Sequence, residues 1–389
     1  MTEISRRRLM QVGAGAAAVA ALPRKRAFAA TPVKFGVVEP FSGGLELFGI
    51  QARLGLDLAL AEINADGGIL GRPVELAYAD DKTDPKTAVE KTLAFVRAGD
   101  IVGLIGPITS SNRDAMMPTL NRAKLPLLYA TNYEGGGCSR YLFSFNTVPN
   151  QELEKLLPAM QQRAGASFYL FGADYVWPQK MFEAAESLIK GMGGSVAGKE
   201  FTPFGVKDFA PVIRRIQASH AKVLVFAVPG ADAITFIRQA EDLGLLKSVT
   251  VAFLGFAETY LGGFGAGKGQ DMWVTVPFAA SLDLPGVKDF VAKLRRSAGP
   301  EMPISHYAFT HYNALIAARA ALVKSGTIDS EALVAGLEGL TFDSPTGPIT
   351  MGTDHHVTLN MFLAKTEGAG LTVVEALGPI APKSGCSAA

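Results

Sequence analysis

The chain has 389 residues, of which 48% are hydrophobic and 19% are charged, and its formal net charge is +1. The first 29 residues carry six basic side chains and one acidic side chain, which leaves 31 basic and 35 acidic side chains for the rest of the chain. This charge balance excludes a typical nucleic-acid binder, the apolar content excludes a disordered protein, and two cysteines are too few for a disulfide scaffold.

Residues 1–29 have the three-part layout of an export signal. Residues 6–8 are all arginine, an apolar run covers residues 9–22, and Ala27 and Ala29 form a small-residue cleavage site. The apolar run is shorter than the roughly 20 residues that a membrane-spanning helix needs. Paired arginines ahead of a weakly apolar core resemble twin-arginine signals. We therefore predict a twin-arginine-type signal peptide over residues 1–29 and a periplasmic mature protein. An ordinary buried N-terminal helix is the alternative, which the basic residues at both ends disfavour.

Strands and helices alternate through the first part of the mature chain. In chain order, the pattern predicts strands at 33–38, 74–79, 101–105 and 125–129, and helices at 50–64, at 88–96 and from Ser110 onward. Alternation at this spacing is typical of a parallel sheet with helices on both faces.

The alternation restarts after about residue 150. The second set comprises strands at 167–171, 223–228, 249–254 and 273–277, helices at 179–190 and 232–243, a helical block at 285–324, and an antiparallel pair at 357–364 and 371–377. About 360 residues also predict two lobes by length. The predicted fold class is therefore α/β, with two Rossmann-like lobes.

Ligands of parallel α/β sheets bind beyond the carboxyl ends of the strands, and this rule selects four loops. In the first loop, Ser110 faces the ligand position at a helix N-terminus, where N–H groups are unpaired. Ser111 with Asp114 fits a capping box, so we expect Ser111 to cap this helix. In the second loop, Tyr129, Thr131 and Asn132 place hydroxyl, amide and ring groups at a strand end.

The third and fourth loops occupy the matching places in the second lobe. Tyr175 and Trp177 alternate in sequence, so both rings can lie on one side of an extended segment and form a pocket wall. Glu258 follows a strand and is a candidate ligand residue, with a solvated surface acid as its alternative. None of the four loops pairs a nucleophile with a base, so a binding function is favoured over an enzyme.

The chain has two cysteines and five histidines, the residues that most often form disulfides or bind metals. In an oxidising compartment, Cys138 and Cys386 are favoured as a disulfide that ties the C-terminal tail to the loop at 135–137, with two separate thiols as the alternative. The histidines lack metal-site spacing, so we expect no metal and no cofactor.

Residues 61–76 read AEINADGGILGRPVEL and are followed by Asp80, Asp81 and the Thr-Asp-Pro sequence at 83–85. This stretch resembles type I periplasmic solute-binding proteins of branched-chain amino acid transporters, and the resemblance covers essentially the whole mature chain. The segments most similar to the urea and short-chain amide receptors of that family are residues 133–135, 149–151, 172–178 and 345–348.

The resemblance implies two lobes joined by three crossovers near residues 148, 278 and 345. Lobe 1 would comprise 30–147 plus 278–344, and lobe 2 would comprise 148–277 plus 345–389. Family contacts carried over to this sequence put ligand-binding hydroxyls at Ser110 and Thr131, with Tyr129 beside them. Further family contacts fall on Tyr175 and Trp177 in lobe 2, and on Glu258, where amino-acid receptors hold an ammonium group.

Two positions depart from the amide-receptor pattern, because Asn132 replaces a proline and Trp177 replaces a smaller ring. The resemblance implies a monomeric receptor that closes on a small polar solute and delivers it to an ABC permease, with urea or a short-chain amide favoured. A branched-chain or other amino acid, or a small carboxylate, is the alternative solute. A sensor subunit that docks a regulator is a third possibility.

Overall fold

The computed structural model describes residues 31–387, so the predicted signal peptide lies outside the described residues. Within this range no helix combines the length and apolar character required to cross a membrane. The first sheet is parallel throughout, in the order β2-β1-β3-β4-β5. Its elements in chain order are β1 (Val33–Glu39), α1 (Glu46–Ala65), β2 (Val74–Asp80), α2 (Pro85–Ala98), β3 (Ile101–Ile105), α3 (Ser110–Ala123), β4 (Leu127–Tyr129) and β5 (Leu142–Ser144).

The second sheet has the order β11-β12-β13-β10-β9-β8-β6-β7, and β14 pairs with β13. Its first part is a second α/β alternation, in which neighbouring strands from β6 to β10 are parallel. The elements are α4 (Pro149–Ala164), β6 (Ser167–Ala173), α5 (Val176–Gly191), β7 (Ser195–Thr202), α6 (Ala210–Ala218), β8 (Val223–Ala227), α7 (Gly230–Asp242), β9 (Thr250–Phe253), α8 (Leu261–Phe264) and β10 (Trp273–Val276). The predicted α/β class with two Rossmann-like lobes is confirmed.

The chain then returns to the first lobe before it completes the second sheet. The returning elements are α9 (Pro285–Ala298), α10 (His306–Ser325) and α11 (Ser330–Leu337), followed by β11 (Thr341–Phe342), β12 (Ile349–Met351), β13 (Val357–Glu367) and β14 (Gly370–Ile380). Gln51 of α1 donates to the carbonyl of Pro303 (2.8 Å), and Ser330 Oγ donates to Val102 O in β3 (3.0 Å). The chain therefore passes between the lobes three times. The exact lobe boundaries at 148, 278 and 345 stay a prediction.

The N-terminus of α3 differs in detail from the sequence prediction. Thr109, not Ser111, is the capping residue, and its hydroxyl accepts from the backbone N–H of Asn112 (3.2 Å). A cap must precede the first helical residue, and here the helix already begins at Ser110. Ser110 and Ser111 are therefore the first two residues of the helix.

The C-terminal tail is attached to the first lobe. A disulfide joins Cys138, between β4 and β5, to Cys386, beyond β14. The backbone N–H of Gly136 also donates to Ser384 O (2.7 Å), and Asn150 bonds to Ala381 O (2.9 Å). The tail thus connects the last strand of the second sheet to the loop that precedes β5.

We expect Gly55→Ala to destabilise the protein by about 1–3 kcal/mol, because α1 and α10 approach too closely to accept a side chain. A Cβ at Gly55 would lie 1.9 Å from the carbonyl oxygen of Ala308. Gly191→Ala, at the exposed end of α5, is the matched control, because a Cβ added there would meet no atom within 4 Å outside its own helix. It should change stability by less than about 1 kcal/mol. Guanidinium chloride denaturation measures both. Equal effects of the two substitutions would contradict the close-packing explanation.

Candidate functional site

A small cavity lies where the two lobes meet. Its volume is about 20 Å³, which is room for about one or two water molecules. The first lobe contributes Phe48, Ile108, Ser110, Thr131, Asn132 and Tyr307, and the second contributes Tyr175, Trp177, Pro229 and Gly255. The structure thus brings five of the predicted site residues to one cavity. None of the ten lining side chains carries a formal charge.

The first-lobe hydroxyls at the cavity already have acceptors within the protein. Ser110 Oγ donates to Glu134 Oε2 (2.7 Å), and Thr131 Oγ1 lies 3.3 Å from the carbonyl oxygen of Pro107, to which it donates. The side chains of Ser110 and Thr131 therefore offer lone pairs, rather than protons, to a molecule in the cavity.

Two buried N–H groups at the same cavity have the opposite character. Asn132 Oδ1 accepts from the hydroxyl of Tyr307 (2.8 Å), which identifies Nδ2 as the donor end of the amide. Neither Asn132 Nδ2 nor Trp177 Nε1 has a hydrogen-bond partner among residues 31–387. The nearby carboxyl of Glu152 accepts from Thr147 Oγ1 (2.6 Å), and burial raises its pKa to about 7 against the lowering effects of Thr147 and Asn132. A buried unpaired donor costs free energy, so the cavity favours a ligand with an acceptor oxygen.

The aromatic wall comes from the start of α5. Tyr175 is the residue before this helix, and its ring centroid lies 6.2 Å from that of Trp177 and 5.4 Å from that of Phe204. Gly255 has φ +65°, and a Cβ there would lie 3.0 Å from the indole ring of Trp177. A side chain at position 255 would therefore crowd the indole and strain a left-handed backbone, and glycine avoids both costs.

Three predicted residues lie outside the cavity lining. Tyr129 is fully buried, and its hydroxyl donates to Ile108 O (3.2 Å). Ser111 is half-buried on α3. Glu258 is buried at a separate cavity of about 590 Å³, whose lining also includes Lys268, Arg295 and Glu301.

Sequence reasoning missed the cavity residues Phe48, Pro229 and Tyr307, and the Arg113–Glu134 ion pair behind Ser110. Phe48 and Tyr307 pack edge to face with ring centroids 4.6 Å apart, which joins α1 to α10 at the cavity. Both lie on helices whose burial alone explains an aromatic residue. Glu134 was within a predicted loop, but nothing in the sequence indicated its contact with Ser110.

The chain matches one protein family over most of its length. The sequence model described as periplasmic binding protein matches residues 32–370. Among curated relatives, Leu/Ile/Val-binding protein homolog 7 of Brucella abortus is 23% identical, with 87% of this chain and 88% of the relative covered. Homolog 3 of Brucella melitensis is 25% identical, with 82% and 86% covered.

Solved structures show the same fold. A solute-binding protein from Rhodopseudomonas palustris HaA2 in complex with p-hydroxybenzoic acid has a TM-score of 0.82 at 23% identity, covering 90% of this chain and 97% of that one. A branched-chain amino acid transporter binding protein from Streptococcus pneumoniae in complex with isoleucine has a TM-score of 0.78 at 21% identity, covering 90% and 100%.

We expect Glu258→Gln to make the protein more stable at alkaline pH without changing ligand affinity. Burial raises the pKa of Glu258 from 4.5 to about 8, and neither carboxyl oxygen has a hydrogen-bond partner within residues 31–387. The folded protein thus holds this proton more tightly than the unfolded chain does. The contribution of the protonated Glu258 carboxyl to folding stability is fully present below pH 4.5 and is lost as the pH rises through about 8. Glutamine has no proton to lose and keeps its contribution at every pH.

The measurement is guanidinium chloride denaturation at pH 5, 7 and 9, because urea is itself a candidate ligand. The gain of the variant over the unaltered protein should grow by a few kcal/mol across this range. Glu301→Gln, an exposed acid at the same cavity, should show no such growth. Parallel pH curves for Glu258→Gln and the unaltered protein would contradict the assignment.

Proposed function

The chain belongs to the periplasmic binding protein family, and we propose that it is an extracytoplasmic receptor that delivers urea or a short-chain amide to an ABC importer. Members of this family bind solutes and do not catalyse reactions on them, in agreement with the lack of a nucleophile and base in the predicted loops. The twin-arginine export route, the monomeric state and the identity of the solute are parts of the proposal.

The hydrogen-bonding pattern of the cavity carries the choice of an amide. Ser110 and Thr131 present lone pairs, while Asn132 Nδ2 and Trp177 Nε1 present protons. A primary amide or urea has the complementary pattern, since its carbonyl oxygen accepts and its NH₂ group donates. Affinity for so small a solute requires that nearly every polar atom be paired, because each buried unpaired group costs about 1–3 kcal/mol.

Size and charge also support an uncharged, compact solute. The cavity of about 20 Å³ would have to widen less for a molecule of few heavy atoms than for a benzoate ring. The ammonium group of an amino acid would need an acid at the cavity, and Glu258 lines a different cavity.

The proposed mechanism is closure of the lobes around the solute. The solute docks on Ser110, Thr131 and Asn132 of the first lobe, and Tyr175 and Trp177 of the second lobe then cover it. Binding shifts the equilibrium between open and closed forms, because only the closed form makes both sets of contacts. The permease would recognise the closed form.

A branched-chain amino acid or an aromatic carboxylate is the second candidate. The curated relatives carry Leu/Ile/Val-binding names, and the similar structures hold p-hydroxybenzoic acid or isoleucine. The two unpaired N–H groups could also donate to a carboxylate. The lone pairs of Ser110 and Thr131 have no counterpart on a carboxylate group. An ammonium group could donate to them, but the cavity lining offers it no acidic partner, so this candidate fits the cavity less well.

We expect urea, formamide or acetamide, but not isoleucine or p-hydroxybenzoate, to raise the melting temperature of the purified mature protein. At a concentration 100 times the dissociation constant, a ligand adds about 2.7 kcal/mol of stability. Millimolar concentrations keep urea below its denaturing range. Stabilisation by the carboxylates alone would replace the proposed solute with the second candidate.

We expect Trp177→Phe to weaken amide binding by about 5- to 100-fold, because phenylalanine keeps the ring but removes the N–H donor. Trp273→Phe is the matched control: Trp273 Nε1 is also buried without a partner in the described structure, but it lies in β10 beneath Arg163 and away from the cavity. Isothermal titration calorimetry measures both affinities. If both variants bind alike, the indole of Trp177 does not contact the solute.

A further inference from the structure

A buried ion pair lies directly behind Ser110. Arg113 Nη2 is 2.6 Å from Glu134 Oε1, and the two side chains are 3% and 6% exposed. The other carboxylate oxygen, Oε2, accepts the hydrogen bond from Ser110 Oγ at 2.7 Å. Glu134 therefore contacts the charged guanidinium with one oxygen and a cavity-lining hydroxyl with the other.

Arg113 is held in place by several groups. Its Nε and Nη2 also donate to Asp114 Oδ1 at 3.0 and 2.8 Å. Its guanidinium carbon lies 5.2 Å from the ring centroid of Tyr129 and 4.6 Å from that of Tyr133. These contacts fix the guanidinium, and the guanidinium fixes the orientation of the Glu134 carboxylate.

The protonation states follow from this arrangement. A guanidinium does not lose its proton in proteins, and a carboxylate bound to it is ionised. An ionised carboxylate has only acceptor atoms, so the proton in the Ser110–Glu134 hydrogen bond belongs to the serine. Ser110 then has no proton left for a solute.

We propose that Glu134, oriented by Arg113, determines the specificity of the cavity by taking the proton of Ser110, so that the serine accepts from a solute N–H and rejects a carboxylate. This inference rests on the proposed function and extends it, because it assigns the choice between amide and carboxylate to a residue outside the cavity lining. Glu134 is a positioning residue, since it acts on the solute through Ser110.

The test compares acetamide with acetate, which have nearly the same shape and differ in hydrogen-bonding pattern and charge. In Glu134→Gln, the side-chain amide can donate to Ser110 and release the serine proton toward the cavity. We expect the ratio of acetamide to acetate affinity, measured by isothermal titration calorimetry, to fall by at least about 10-fold, the change typical of losing one hydrogen bond to a charged group.

Asp114→Asn is the matched control. It removes the other carboxylate from the same guanidinium, and the Asp114 carboxylate, one helical turn after Ser110, bonds to Arg113 and not to the Ser110 hydroxyl, whose proton goes to Glu134. The affinity ratio of this variant should stay within about twofold of the unaltered protein. Two outcomes would overturn the inference, because each would mean that the ion pair only stabilises the fold. One is an equal loss of acetamide and acetate affinity in Glu134→Gln, and the other is the same change of affinity ratio in Asp114→Asn.

Ser110→Ala provides a second test if Glu134→Gln does not fold. It removes the acceptor without creating a donor, so acetamide affinity should fall by about 10-fold while acetate binding stays as weak as before. Unchanged acetamide binding would overturn the inference. An unaltered protein that prefers acetate to acetamide overturns the proposed function as well. If the unaltered protein prefers acetamide and Glu134→Gln keeps the whole preference, the proposed function stands and only the role of Glu134 is overturned.

Discussion

The chemistry of the cavity depends on where hydroxyl protons go in the first lobe. Ser110 gives its proton to Glu134, Thr131 to a backbone carbonyl, and Tyr307 to Asn132. Each bond turns a group that can either donate or accept into one with a fixed role. The acceptors lie in the loops that follow β3 and β4, and one of them belongs to a buried ion pair. On the proposed function, selectivity between solutes of similar size depends on the protein behind the cavity as much as on its surface.

Much of the fold was predictable because its strands are short apolar runs bounded by turns. The segment from Val33 to Glu39 is buried almost throughout, as expected of a central parallel strand. The edge strand β7 was missed, because its half-exposed sequence SVAGKEFT contains glycine and charged residues. The helix α4 was also missed; it contains Pro158, a residue that normally indicates a helix end. In both segments, contacts with the rest of the fold stabilise a strand or a helix that the local residue types disfavour.

The lining of the candidate site was predictable where it lies at strand ends. The rule for parallel sheets selected the loops of Ser110, Thr131, Asn132, Tyr175 and Trp177, and the structure places these five around one cavity. Tyr307 escaped prediction because it reaches Asn132 from a position 175 residues later in the chain. Glu258 was chosen by the same rule, but it lines another cavity and both of its carboxyl oxygens are buried. Sequence position identifies a loop, whereas backbone conformation decides which side of the loop faces a ligand.

The bond between Cys138 and Cys386 has a further consequence for the covalent structure of the molecule. The cysteines are 248 positions apart, so they close a ring that contains the second lobe and the three helices that return to the first. A protease that cuts one peptide bond inside this ring leaves both pieces joined through sulfur. Such a nicked molecule would migrate as one species on a gel until a reductant separates its fragments.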